Sequence, residues 1–230
     1  MHFLARLFGA HENSLCSLST ESSAGPPPTE SESFRQTAEP GGARFPFAIG
    51  ALTEKGPHRE RNEDALFCLQ SILVSETNET PFGIFLLADG LGGHEDGQLA
   101  SELAVRTVAA HLVKTIYIPM LSGHAQDSQS VPMNDSLTNA IAAANQAIKN
   151  NTAGGGSTLT GTLILGNTAC IVHVGDSRAY SISDTTVNQL THDHSVIGRL
   201  MELDRISPEE AAANPQRHLL YKAIGQQAAV

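Results

Sequence analysis

The sequence predicts an α+β fold in which β-sheets carry helices on their outer side. Short apolar runs bounded by turn formers, the mark of strands, fill two separate stretches, before residue 90 and after residue 155. Between them the apolar period changes to that of amphipathic helices, over residues 96–113 and 135–150. The later strands are joined by short connections, which favours antiparallel hairpins over βαβ crossovers.

Residues 1–44 are expected to form a disordered tail, since residues 11–44 are rich in Ser, Thr, Glu, Gly and Pro and hold few large apolar side chains. The opening "MHFLARLFGA" is too short and interrupted for a secretory signal and reads as a frayed terminus or a short amphipathic helix. The folded domain is expected over residues 45–230. "FPFAIGALT" (45–53) and "DALFCLQSILV" (64–74) read as strands. "PFGIFLLAD" (81–89) is a third, whose apolar run stops at Asp89 and delivers a carboxylate to the rim of a sheet.

In "DGQLASELAVRTVAAHLV" (96–113), Leu99, Leu103, Val108 and Leu112, with alanines between them, make one broad apolar helical stripe. "DSLTNAIAAANQAIKN" (135–150) places Leu137, Ile141, Ala144 and Ile148 on one face and Asp135 at its N-cap. Residues 119–134 read as a surface loop. "TLTGTLIL" (158–165), "ACIVHVG" (169–175) and "RAYSIS" (178–183) are the later strands. "VIGRLMEL" (196–203) and "SPEEAAA" (207–213) form a final helical pair. In the second, Ser207, Pro208 and Glu210 compose a capping box with proline at the first helical position.

A hydrophobic content of 40% is enough for a proper core, and no segment reaches the roughly 18 consecutive apolar residues of a membrane span. The formal net charge of −10, from 14 basic and 24 acidic residues, disfavours a nucleic-acid groove. An acidic protein that handles an anion needs metal ions or a few placed arginines. The cysteines, Cys16, Cys68 and Cys170, are odd in number and widely spaced, which argues against a disulfide framework or zinc site and for the reducing cytoplasm.

Three acidic clusters end expected strands: "RNED" (61–64), "ADG" (88–90) and "GDSR" (175–178). One such Asp is commonly a turn or cap residue. Three together point to a cation held by oxygen ligands, because carboxylates brought close repel, and Mg²⁺ or Mn²⁺ suits carboxylate, carbonyl and water. Gly90 lets the backbone approach such an ion and offer its carbonyl. Arg59, just ahead of the first cluster, can grip a phosphate in fork geometry; its other reading is a surface salt bridge to Glu60 or Glu63. "TAGGGST" lacks the Lys-Ser/Thr of a phosphate-binding loop and precedes a strand. His192 and His194 of "THDHS" read as exposed polar residues, and His173, between valines, as packed or solvent-facing.

In their order these motifs resemble those of the PPM, or type 2C, metal-dependent protein phosphatases, bacterial members above all. "GPHRERNED" resembles Gly-x-x-Arg-x-x-Asn-Glu-Asp, and "ADGLGGHEDG" resembles Asp-Gly-x-Gly-Gly-His-x-x-Gly. "GSTLTGTLI" is similar to the family's Gly-Thr-Thr strand, "VHVGDSRAY" to its Gly-Asp-Ser-Arg-x-Tyr strand and turn, and "QLTHDHS" with residues 205–225 to the segment that follows. The resemblance covers residues 45 to about 225 and implies a four-layer α/β/β/α sandwich. It also implies hydrolysis of phosphoserine or phosphothreonine in proteins by a water made acidic by two cations, Mn²⁺ or Mg²⁺. Asp89 would bridge the ions, Gly90 would bind one through its carbonyl, Glu63 and Asp64 would hold them directly or through water, and Asp176 would serve a third. Arg59 would bind the substrate phosphate.

The substrate implied is a phosphorylated protein, the product of a Ser/Thr kinase, met by a monomer with no nucleic-acid partner and no stable membrane insertion. Where some eukaryotic members place a histidine two residues after the bridging Asp, this sequence has Leu91, so His94 does not simply inherit the role of general acid and reads rather as a helix-start or packing residue. Two further ligand aspartates of the family, in a Ser-Asp-Gly segment and a late Asp-Asn, would lie beyond Val230. The resemblance therefore implies a domain lacking its last strands, poorly active alone, with a non-catalytic phosphoprotein-binding module as the rival reading.

Overall fold

The described strands pair into two sheets. The computed structural model describes residues 48–57, 59–76, 78–92, 94–123 and 132–226, together with the backbone of residues 2–4. Strand β1 (His2–Leu4) is followed by β2 (Asp64–Val74) and β3 (Glu79–Leu91), then by helices α1 (His94–Leu112), α2 (Ile118–Leu121) and α3 (Met133–Asn151). The later strands are β4 (Gly156–Ser157), β5 (Leu159–Leu165), β6 (Thr168–Val174), β7 (Arg178–Ile182) and β8 (Val187–Gln189), followed by α4 (Val196–Glu202) and α5 (Pro208–Ala213). The larger sheet has the order β2-β3-β5-β6, all antiparallel, with β4 added at the end of β3. The smaller has the order β1-β7-β8. Its β1 pairs in parallel with β7, so residues 2–4 of the expected tail join a sheet. Residues 5–47 lie outside the described residues.

Strand alternation sorts the larger sheet into two faces. Phe82, Ile84, Leu86 and Ala88 of β3 join Leu159, Leu163 and Val174 in the main core, with Ala65, Phe67 and Leu69 of β2 packed against it. Helices α1 and α3 cover this face, through Ala100, Ala104, Val105, Val108, Ala109 and Leu112 on one and Leu137, Ala140, Ala144 and Ile148 on the other. Each large apolar side chain removed from water here contributes roughly 1.5–3 kcal/mol. The opposite face carries a separate small cluster of Phe85, Ile164 and Cys68.

Four details differ from the sequence expectation. Residues 48–53, the described part of the first expected strand, are exposed and form no ladder; apolar alternation makes a strand only where an edge accepts it, and the contact found there is Asn62 Nδ2 donating to Thr53 Oγ1 at 2.6 Å. Leu99 is 39% exposed, at the margin of a stripe whose Val108 and Leu112 are buried and whose Leu103 packs against the core. A π-helical turn (Val113–Tyr117) continues α1, and the loop expected from residue 119 begins instead inside α2, held down by buried Met120 and by Tyr117, which stacks on Phe82 at 4.6 Å and bonds Ser71 Oγ at 3.0 Å. Helix α3 starts three residues early, with Pro132 at its N-cap in place of Asp135, which lies in the first turn, where a carboxylate still favours the helix dipole. The expected Ser207–Glu210 capping box is present, with both reciprocal bonds. Among the described residues, no helix is long and apolar enough to cross a membrane.

Candidate functional site

The face of the larger sheet away from the helices changes from apolar to polar toward one end. Residues directly opposite in a ladder share a face. Cys68 pairs with Phe85 and Leu66 with Leu87; one step further, Asp64 stands opposite Asp89. On the other edge of β3, Thr160 pairs with Leu87, and Thr160 in turn with His173. The strand pattern therefore sets Asp64, Asp89, Thr160 and His173 on one surface, the opposite of the one that buries Ala65 and Ala88.

Cross-strand partners hold their Cβ atoms about 4.5–5.5 Å apart, so the two carboxylates meet. Burial pushes the Asp89 carboxyl up to about 6, and the charges of Asp64 and Asp176 push the same way while Arg59 opposes them. Asp64 is also raised, by burial first and by Glu63 among its neighbours, with Arg59 again opposing. Two acids that resist joint ionisation form a donor set suited to a hard divalent cation, whose charge offsets the repulsion. Among the described residues, no group of three or more His, Cys, Asp and Glu side chains converges on such a point. The described residues thus present a pair of carboxylates, to which backbone carbonyls and water would add.

The backbone around the pair is tightly determined. The Gly90 N–H donates to the Glu63 carbonyl at 3.0 Å, joining the second cluster to the first. A Cβ on Gly90 would land on the carbonyl oxygen of Gly97 and come within 2.8 Å of the Glu63 oxygen, so only glycine fits. The Asp64 N–H donates to Asn62 Oδ1 at 3.1 Å, a local turn bond that sets the entry into β2.

Arg59 lies exposed beside the pair, and among the described residues its guanidinium has no carboxylate within ion-pair distance, neither Glu60 nor Glu63. Arg61 instead makes a link, at 3.3 Å to Glu95 in the first turn of α1. His94 opens that helix, in accord with the helix-start reading. Asp176 sits in the turn between β6 and β7, half-buried, and reaches the pair through its charge on Asp89.

Sequence reasoning missed a polar module beneath this turn. His194 is not an exposed residue: its Nδ1 accepts the Gly175 N–H at 3.1 Å, and its ring stacks on His173 at 4.9 Å and meets Tyr221 edge-on at 5.7 Å. His173 Nε2 faces the His192 carbonyl at 2.9 Å, so that nitrogen carries the proton, while Nδ1 lies 2.8 Å from Thr160 Oγ1. Burial pulls both histidines below the usual imidazole range, outweighing the carboxylates nearby. Arg178 forks onto Asp193 with bonds of 2.8 and 2.6 Å, clamping the turn to the segment before α4. His192 is exposed, 3.5 Å from Glu202. The signal that could have revealed this module is the alternation Thr158, Thr160, Thr162 on an otherwise apolar strand.

A family model described as Protein phosphatase 2C matches residues 59–214. The chain is 33% identical over 183 residues to the serine/threonine protein phosphatase PstP of Mycobacterium tuberculosis, covering 76% of this chain and 30% of that protein. Against the protein phosphatase PhpP of Streptococcus pneumoniae it is 32% identical over 178 residues, covering 77% of this chain and 68% of the relative. A solved catalytic domain of PstP in complex with two manganese ions superposes with a TM-score of 0.53 at 30% identity, covering 76% of this chain and 65% of that one. This chain therefore spans under a third of one relative's length and about two thirds of the others'. With the acidic pair, the Gly90 contact and the motif order falling inside the matched segment, the chain belongs to the protein phosphatase 2C family.

Proposed function

We propose that this chain carries part of the active site of a metal-dependent phosphatase that hydrolyses phosphoserine and phosphothreonine on proteins. The observation that supports it most is the face-to-face pair Asp64 and Asp89, with Asp89 raised to about 6 and the exposed Arg59 beside it. In this reading Asp89 and Asp64 hold Mn²⁺ or Mg²⁺, Gly90 contributes its carbonyl, Glu63 acts directly or through water, and Asp176 serves a further ion. The bound cations would supply the Lewis acidity that phosphate-ester hydrolysis requires. Arg59, with no carboxylate in ion-pair reach among the described residues, takes two phosphate oxygens in fork geometry and stabilises the charge that develops on them. The substrates are products of Ser/Thr kinases, met in the cytoplasm by a monomer.

Phosphate release from a phosphothreonine peptide, measured with and without Mn²⁺, tests this reading. Release is expected to depend on the metal and to fall at least tenfold in Arg59→Ala; metal-independent release, or an Arg59→Ala variant as fast as wild type, would contradict it. The exposed Arg59 beside the pair also suits a second reading, a phosphoprotein-binding module without turnover. That reading predicts phosphopeptide binding that needs Arg59 but shows no phosphate release.

A further inference from the structure

We propose that Thr158 is the positioning residue of this site: its hydroxyl replaces a backbone carbonyl in the ladder and thereby sets where Asp89 projects. The inference rests on the metal-site reading of Asp89. Gly90 is opposite Ser157 and Leu87 opposite Thr160, which leaves Thr158 facing Asp89. In a regular antiparallel pair these two residues would exchange two backbone bonds. Only one is made. The Thr158 N–H donates to the Asp89 carbonyl at 2.9 Å, but the Asp89 N–H donates to Thr158 Oγ1, also at 2.9 Å.

The displaced Thr158 carbonyl is taken by Ser157 Oγ at 2.7 Å, and the same hydroxyl lies 3.1 Å from the Asp89 carbonyl. The ladder is therefore closed through side chains at the one residue pair where an acidic site begins, and both Ser157 and Thr158 are wholly buried. The Thr158 hydroxyl also meets Ser177 Oγ at 2.9 Å, in the turn that bears Asp176. Gly175, with φ of 112°, packs so closely that a Cβ there would come within 2.5 Å of the Thr158 methyl. One side chain thus spaces the Asp89 strand end from the Asp176 turn: the hydroxyl fixes the first and reaches the second, and the methyl supports the second.

Three chains, wild type, Thr158→Val and Thr158→Ser, separate a positioning role from a packing role. Valine keeps the shape and loses the hydroxyl; serine keeps the hydroxyl and loses the methyl. The readouts are amide hydrogen exchange at Asp89 and Mn²⁺ affinity by calorimetry, both on the full chain. Thr158→Val is expected to exchange the Asp89 amide at least tenfold faster and to bind Mn²⁺ at least tenfold more weakly, with Thr158→Ser within threefold of wild type on both. Equal losses in the two variants, or an unchanged Asp89 amide in Thr158→Val, would overturn the proposal. So would faster exchange in Thr158→Val with unaltered Mn²⁺ affinity. Should Thr158→Val not fold, Ser177→Ala carries the test: it frees the Thr158 hydroxyl from its second partner and is expected to weaken Mn²⁺ binding about threefold, and wild-type affinity there overturns the proposal. Absence of Mn²⁺ binding by the wild type would refute the metal reading, and amide exchange alone would then decide whether Thr158 holds Asp89.

Discussion

At the scale of single residues, the central fact is that Asp89 is uncomfortable when ionised. Its folded-state value of about 6 stands above the unfolded value of 3.8, so the protonated form stabilises the fold. That contribution is complete below about pH 3.8 and is lost as pH rises through about 6. Asparagine stays neutral throughout. In chelator-treated protein, the melting temperature of Asp89→Asn relative to wild type is therefore expected to climb between about pH 4 and pH 7 and then level off, a profile that differential scanning fluorimetry can follow. A difference flat with pH would mean that the carboxylate is not strained. His173 and His194 give the opposite sign: both are held below the ordinary 6.5, so their contribution is present above about pH 6.5 and fades as pH falls. His194→Gln, which can still accept the Gly175 N–H, is expected to lose less stability than wild type between pH 7 and pH 5.

At the scale of elements, the turn between β6 and β7 depends on two devices: Gly175 against Thr158, and the fork from Arg178 to Asp193. Arg178→Lys keeps the charge and loses one arm of the fork, and is expected to cost about 1–2 kcal/mol in urea denaturation, in line with one charge-assisted bond partly screened by water. An unchanged midpoint would make the clamp incidental. Gly90→Ala has no such graded outcome, since its Cβ would meet backbone on both sides. The strands and helices that could be read from sequence include β2, β3, β5, β6, β7, α1, the α3 stripe from Leu137 to Ile148, and the pair α4 and α5 with its capping box. Residues 48–53 and Leu99 misled because apolar pattern does not say which edge or face is offered a partner. The Thr158 closure and the His173–His194 stack were illegible because both depend on residues far apart in sequence meeting across the sheet, although the three alternating threonines hinted at a polar surface.

At the scale of the molecule, the sheet separates two tasks. The face under α1 and α3 supplies the burial that holds the chain together, and the other face, by a shift of one residue along each strand, carries the acids. The acidic clusters were legible as candidates because each lies at a strand end, Arg59 because it stands just ahead of the first of them, and the motif order identified the family. What the sequence alone could not say is that Asp64 and Asp89 are direct ladder partners while the charge of Asp176 acts on Asp89 from a turn. The claim that the pair shares a cation is tested most directly by calorimetric titration of Mn²⁺ into wild type, Asp64→Asn, Asp89→Asn and the double variant. The account predicts that each single change weakens binding at least tenfold and that the double variant is far less affected than the product of the two, since either loss alone dismantles one shared site. Single variants that bind as wild type does, or losses that simply multiply, would contradict it.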